Sequence, residues 1–237
     1  MAARKERTDL NGIVVVNKPS GITSHDVVDR VRRKFRMRRI GHAGTLDPLA
    51  TGVLVILVGK GTKLFDQFVG FDKGYRATLV LGTSTVSADI EGKVIETRPY
   101  EGITQEKILE VFRSFLGEGQ QIPPMVSAVK SQGRRLYELA RKGLTVDREP
   151  RAIRIDAIDL LRFDPPMVEF YLKCSKGTYV RKFAEDVGLQ LGCGACICQI
   201  ERTVVGPYQI EEAVDLDHLE EGHVRDFNGD HMPVAAG

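Results

Sequence analysis

No apolar run in the 237 residues approaches the ~20 residues that a membrane-spanning helix needs. The opening segment, MAARKERTDLNG, is charged and has no apolar stretch before Ile13. It is therefore read as a flexible leader over 1–10, neither a secretory signal nor a transit peptide, and the chain is expected to be cytoplasmic with no membrane partner. Cysteine is scarce: Cys174, Cys193, Cys196 and Cys198, three of them in GCGACIC. A cytosolic chain with so few thiols is not built on disulfides. A Cys-x-x-Cys pair with no second ligand pair at suitable spacing and no flanking histidine does not make a zinc site, so the thiols are read as small core residues. Also missing are a Ser-His-Asp order, a phosphate-binding glycine loop, an internal repeat, a low-complexity tract and an interdomain linker. Neither a metal nor a cofactor is expected.

What is present is an ordinary core and an uneven charge distribution. Apolar residues make up 42% and charged residues 28%, enough for a sizeable globular interior. The net charge of +2 hides segregation. Arg30, Arg32, Arg33, Lys34, Arg36, Arg38 and Arg39 form one basic block, and Lys130, Arg134, Arg135, Arg141, Lys142, Arg148, Arg151 and Arg154 a second. The end of the chain is acidic, from Glu211 to Asp230. Such a pattern suits a polyanion-binding face, and equally a pair of solvated helix faces.

The periodicity predicts strands over 12–18, up to Val58, 75–81, 93–97, 151–161, 167–175 and 196–202. Helices are predicted from a Ser24 cap to about Arg36, over 63–71, from Thr104 to a stop at Gly117, over 135–142 and over 178–191 before Gly192. Segments 41–52 and 82–92 read as loops, and the acidic end as weakly helical. Strands and helices mix without a regular βαβ rhythm, which points to one α+β domain over 11–220 and a tail over 221–237.

The most unusual stretch is GHAGTLDPLATGVL, Gly41 to Leu54. It places one carboxylate, Asp47, on a glycine- and proline-rich turn among Leu46, Pro48 and Leu49. A carboxylate there caps backbone N–H groups in a turn. Alternatively, partly desolvated and given a cation, it serves as a nucleophile or base. The residues alone leave both readings open.

Five segments share a further property: NKPSGITSHDVV, GHAGTLDPLATGVL, GYRATLVLG, IPPMVSAVKSQGRRLYELARKG and CSKGTYVRKFAEDVGLQLGCGA. In this order they resemble the TruB family of tRNA pseudouridine synthases, from about Gly12 to Leu219. The resemblance implies a pseudouridine synthase fold with a mixed, mainly antiparallel central sheet. It also implies an RNA-binding insertion at about 120–150 and isomerisation of uridine-55 in the T-loop of tRNA. By this resemblance Asp47 is the catalytic residue, acting on the sugar, on the base, or on a sugar proton. Tyr75 stacks on the flipped base and is a candidate base for the C5 proton, and Arg181 is the cation paired with Asp47. His42 fills the space the uridine leaves, Lys18 lies beside the site, and Ile200 supplies an apolar wall. Lys130, Arg134, Arg135 and Arg141 contact phosphates of the T-arm, giving affinity and salt dependence with little sequence information. No obligatory protein partner is implied.

The sequence departs from the family pattern in places. Ile200-Glu201-Arg202 stands where Leu-Arg-Arg is common, and Val86 where an aspartate is usual. The segment that in many members leads into a PUA RNA-binding domain is here the final NGDHMPVAAG, so weaker tRNA affinity with retained chemistry is expected. Two other readings remain: a guide-RNA-directed, dyskerin-like synthase, and an RNA-folding protein without catalysis.

Overall fold

The computed structural model describes residues 10–125, 127, 130–131, 134–135, 144 and 146–226. Two compact units are present, one made of Met1–Tyr75 with Glu201–Gly237, the other of Arg76–Ile200.

The first unit is organised around two apolar strands, β1 (Gly12–Lys18) and β3 (Thr51–Val58), which pair antiparallel from Gly12↔Val58 to Lys18↔Gly52. Both are buried almost throughout, as unbroken β-branched runs should be. Strand β2 (Ile40–Ala43) pairs with β3 and puts His42 opposite Ile56. The loop expected over 41–52 therefore begins later, because backbone pairing with β3 captures its first residues. Helix α1 (Ser24–Phe35) buries Val27, Val28, Val31 and Phe35 and turns its arginines outward, as the apolar spacing predicts. Its cap is Thr23 rather than Ser24: the Thr23 hydroxyl accepts from the Asp26 N–H, and the Asp26 carboxylate accepts in return from the Thr23 N–H. Ser24 is thereby free for another task. Helix α2 (Phe65–Gly70) supplies Phe68 to a core shared with Phe71 and Tyr208.

Part of the first basic block is committed to holding this unit together. Arg32 donates to the Ile40 carbonyl at 2.9 Å, Arg39 to the Thr62 hydroxyl at 2.9 Å, and Lys34 to the Asp217 carbonyl at 3.2 Å. Strand β4 (Lys73–Leu81) carries the chain out of this unit, and β12 (Ala195–Val205) brings it back. On its return β12 runs parallel to β3 through two register pairs, Glu201↔Thr51 and Arg202↔Gly52. It then pairs with β13 (Tyr208–Gln209), after which β14 (Val214–Asp215) lies parallel to β1.

In the second unit the strand order is β12-β4-β11-β10-β7, with β7 at Gly117–Gln121, β10 at Arg151–Asp164 and β11 at Met167–Cys174. Strand pairing in the protein is mixed and mainly antiparallel, as expected, with parallel pairs at β1–β14 and β3–β12 and antiparallel ones at β1–β3, β10–β11 and β10–β7. Helices α3 (Gln105–Ser114) and α4 (Val180–Leu191) cover it through a cluster of Phe112, Phe115, Phe170 and Phe183 rings, with centroids 5.2–5.9 Å apart. Thr104 caps α3 and Gly192, at φ 79°, ends α4, both at the predicted positions. Gly117 does not end α3. The helix stops at Ser114, and Gly117 opens β7, whose polar GEGQQ sequence pairs with Arg151–Ile155 through its backbone. Strand β5 (Thr83–Thr85) pairs antiparallel with β6 (Val94–Thr97), and β8 (Lys130–Ser131) with β9 (Arg134–Arg135). Of the helix expected over 135–142, Arg135 is in β9 and 136–142 lie outside the described residues.

Candidate active site

Asp47 sits half-buried in the turn between β2 and β3, and both of its chain neighbours are anchored. On the N-terminal side the Ser24 hydroxyl accepts from the Leu46 N–H at 2.8 Å and donates to the Leu46 carbonyl at 3.0 Å. On the C-terminal side the Pro48 carbonyl accepts from Lys18 Nζ at 3.2 Å and from the Gly21 N–H at 2.9 Å. Ser20 donates to the Leu49 carbonyl at 3.1 Å, and the turn closes on itself through Ala50 N–H to Asp47 C=O. The NKPSGITS segment is thus a brace for the Asp47 turn. Lys18 is fully buried and also donates to the Pro19 carbonyl at 2.8 Å.

The outer ends of the turn are held by Arg202. Its side chain is 2% exposed, donates from Nε to the Val53 carbonyl at 2.8 Å and from Nη2 to the Gly44 carbonyl at 2.9 Å. Burial works against its positive charge. A hydrogen bond with the Tyr75 side chain and the field of the Asp47 carboxylate work for it. Two glycines make room. Gly52, at φ 99°, would bring a Cβ to 2.3 Å from the Arg202 carbonyl oxygen, and Gly44, at φ 83°, to 3.4 Å from its guanidinium. These two motif glycines serve internal packing against Arg202.

Tyr75 is buried at the start of β4. His42 is partly buried, its Nδ1 is enclosed, and that atom has no hydrogen-bond partner among the described residues. Burial first, then the Arg202 charge, then His25, lower the His42 imidazole to about 4, so it is neutral at physiological pH. The first unit therefore gathers Asp47, Tyr75, His42 and Lys18 from the predicted set and adds Arg202, which the sequence reading passed over. The available signal was an arginine within a strand otherwise destined for the interior.

Arg181 and Ile200 belong to the second unit, where both are buried. Arg181 lies in the first turn of α4, donates to the Ser87 carbonyl at 2.8 Å and faces the Asp89 carboxylate at 3.4 Å. Asp89 in turn accepts from the Ser87 hydroxyl at 2.6 Å and the Glu91 N–H at 3.2 Å. Asp89 is the second residue missed from sequence, where 82–92 read only as a polar loop. Val86, which replaces the usual aspartate, is 64% exposed, so the buried carboxylate of this loop lies three residues further on. Cys174, Cys193 and Cys196 are buried free thiols, as read, and burial lifts Cys196 to about 11. Among the described residues no group of histidine, cysteine and carboxylate side chains could hold a metal. No described helix is long and apolar enough to cross a membrane. Lys130, Arg134 and Arg135 lie on the paired strands β8 and β9, and Arg141 is outside the described residues.

Among solved structures the chain is similar to a Cbf5–Nop10–Gar1 complex, with 26% identity and a TM-score of 0.69 over 91% of this chain and 60% of that one. It is also similar to the Nop10–Cbf5 complex of an archaeal box H/ACA particle, with 26% identity and a TM-score of 0.64 over 89% of this chain and 53% of that one. This chain spans less than two thirds of either. The mixed sheet with its covering helices is the pseudouridine synthase fold. Residues 32–180 match the model of the TruB family pseudouridylate synthase N-terminal domain, and 181–231 that of the tRNA pseudouridylate synthase B C-terminal domain. A relative from Opitutus terrae named tRNA pseudouridine synthase B is 46% identical over 90% of this chain and 89% of its own. One of the same name from a Mycobacterium species (strain KMS) is 48% identical over 88% and 71%. The chain belongs to the TruB family.

Proposed function

We propose that this enzyme converts uridine to pseudouridine in the T-loop of tRNA, at position 55, with Asp47 as the catalytic residue. The observation that supports this best is a carboxylate braced on both sides, facing a buried guanidinium, in a chain nearly half identical to relatives named tRNA pseudouridine synthase B. The reaction breaks the C1′–N1 bond and forms C1′–C5. The C5 proton leaves and N1 gains one, so nothing is added or lost. One fixed carboxylate suffices for attack at the sugar or base, or for removal of a sugar proton, and no water has to be activated. Tyr75 offers a ring for the extruded pyrimidine and an oxygen for the C5 proton. His42, neutral and with an unpaired Nδ1, suits the space the uridine vacates once it is flipped, a step that costs a few kcal/mol of stacking. We assign Arg181 to the catalytic set and Ile200 to the wall beside the uracil, on the resemblance of their motifs to the family's. Phosphate contacts are assigned to Lys130, Arg134, Arg135 and Arg141, and Lys18 supports the site.

The test is incubation of purified protein with an unmodified tRNA transcript, followed by chemical mapping of pseudouridine. Wild type is expected to modify the T-loop uridine, and Asp47→Ala to give no product while still binding RNA. Product from the variant refutes the role of Asp47. No product from wild type, with binding intact, favours an RNA-folding protein without catalysis.

A further inference from the structure

We infer that Arg202 is a positioning residue for the reaction: its buried fork holds the Asp47 turn at both ends and presents a fixed positive charge to Asp47 and the Tyr75 oxygen. The inference rests on the reading of Asp47 as catalytic and adds a residue to it. Two backbone carbonyls and two ionisable side chains act on this one side chain. Nε binds the Val53 carbonyl on β3, Nη2 binds the Gly44 carbonyl at the other end of the turn, the Tyr75 side chain shares a hydrogen bond, and Asp47 lies within its field. The Gly44 and Val53 carbonyls are separated along the chain by the whole turn that carries Asp47, so one planar group sets the width of that turn. A lysine has a single ammonium point and cannot span both carbonyls and the phenol in a plane. The backbone is committed as well. Gly52 opposes Arg202 in the strand register, and a Cβ at Gly52 would collide with the Arg202 main chain.

The geometry has a chemical use. Whichever atom Asp47 engages, the carboxylate has to stay aimed in a partly desolvated place. A guanidinium that is itself fixed by two carbonyls cannot swing away, and it costs no reorganisation during the reaction. The charge also reaches His42, where it adds to burial in keeping the imidazole neutral. These contacts act on the reacting groups and leave RNA docking to other residues, so loss of Arg202 is expected in kcat rather than KM.

Arg202→Lys, Arg202→Met and Asp47→Asn are compared with wild type for turnover of a tRNA transcript, tRNA affinity and melting temperature. The expected result is a kcat reduced at least tenfold in Arg202→Lys and at least a hundredfold in Arg202→Met, with KM and tRNA affinity within threefold of wild type. Wild-type kcat in either Arg202 variant overturns the inference. So does an equal loss in both, which would make Arg202 a strut whose charge is immaterial, and so does a rise in KM matching the fall in kcat. If the methionine variant does not fold, the lysine variant decides alone by its kcat and KM. Product from Asp47→Asn defeats the catalytic reading itself, whereas an inactive Asp47→Asn beside wild-type-like Arg202 variants defeats only this inference.

Discussion

At His42 two pressures act in one direction, since burial and the neighbouring guanidinium both disfavour the imidazolium. The folded value of about 4 is below the ordinary 6.5, so as pH falls through this window the unfolded chain takes up the proton first. This contribution to stability is complete above pH 6.5 and lost as pH approaches 4. It amounts to about 1–3 kcal/mol, allowing for partial exposure. Urea unfolding at pH 7 and pH 4.5 should show wild type losing more stability than His42→Gln by that amount. Equal losses would mean that His42 carries no such shift. A single histidine in a glycine-rich motif gives no hint of this from sequence, because the depressing charge comes from residue 202.

The turn between β2 and β3 owes its shape to groups outside it. Ser24 was expected to cap α1; instead Thr23 caps the helix and Ser24 pairs with both backbone groups of Leu46. Ser24→Ala should therefore leave α1 intact but strand a buried N–H and C=O, costing about 1–3 kcal/mol. Denaturant titration should show that loss, and turnover should fall with tRNA affinity retained. An unchanged stability would argue that Leu46 finds other partners at no cost. The regular elements were legible wherever local pattern decides them. The apolar runs of β1 and β3, the stripe of α1, the Thr104 cap and the Gly192 stop all follow from nearest neighbours in sequence. Strand β7 was not legible, because GEGQQ has no strand pattern and is captured by the backbone of β10. The candidate site was legible through its motif residues. Arg202 and Asp89 escaped because their meaning lies in contacts far along the chain, with Val53 for Arg202 and with Arg181 for Asp89.

The first unit is discontinuous in sequence: its early strands are completed by residues that follow Ile200. A chain ending at Ile200 lacks Arg202, the parallel neighbour of β3 at Thr51 and Gly52, and the β14 partner of β1. Such a chain should make no pseudouridine, and limited proteolysis should cut within 12–75 under conditions where the intact chain resists. Activity from it would show that the late segment is dispensable to the site.

That discontinuity also sets a timetable for the molecule's birth. Asp47 leaves the ribosome some 150 residues before Arg202 does, which at ordinary elongation rates is roughly 10–30 s. Throughout that interval the turn has its brace from 18–24 within reach but not its fork. On the role proposed for Arg202, the nascent chain is expected to be silent toward RNA uridines until residue 202 has left the ribosome.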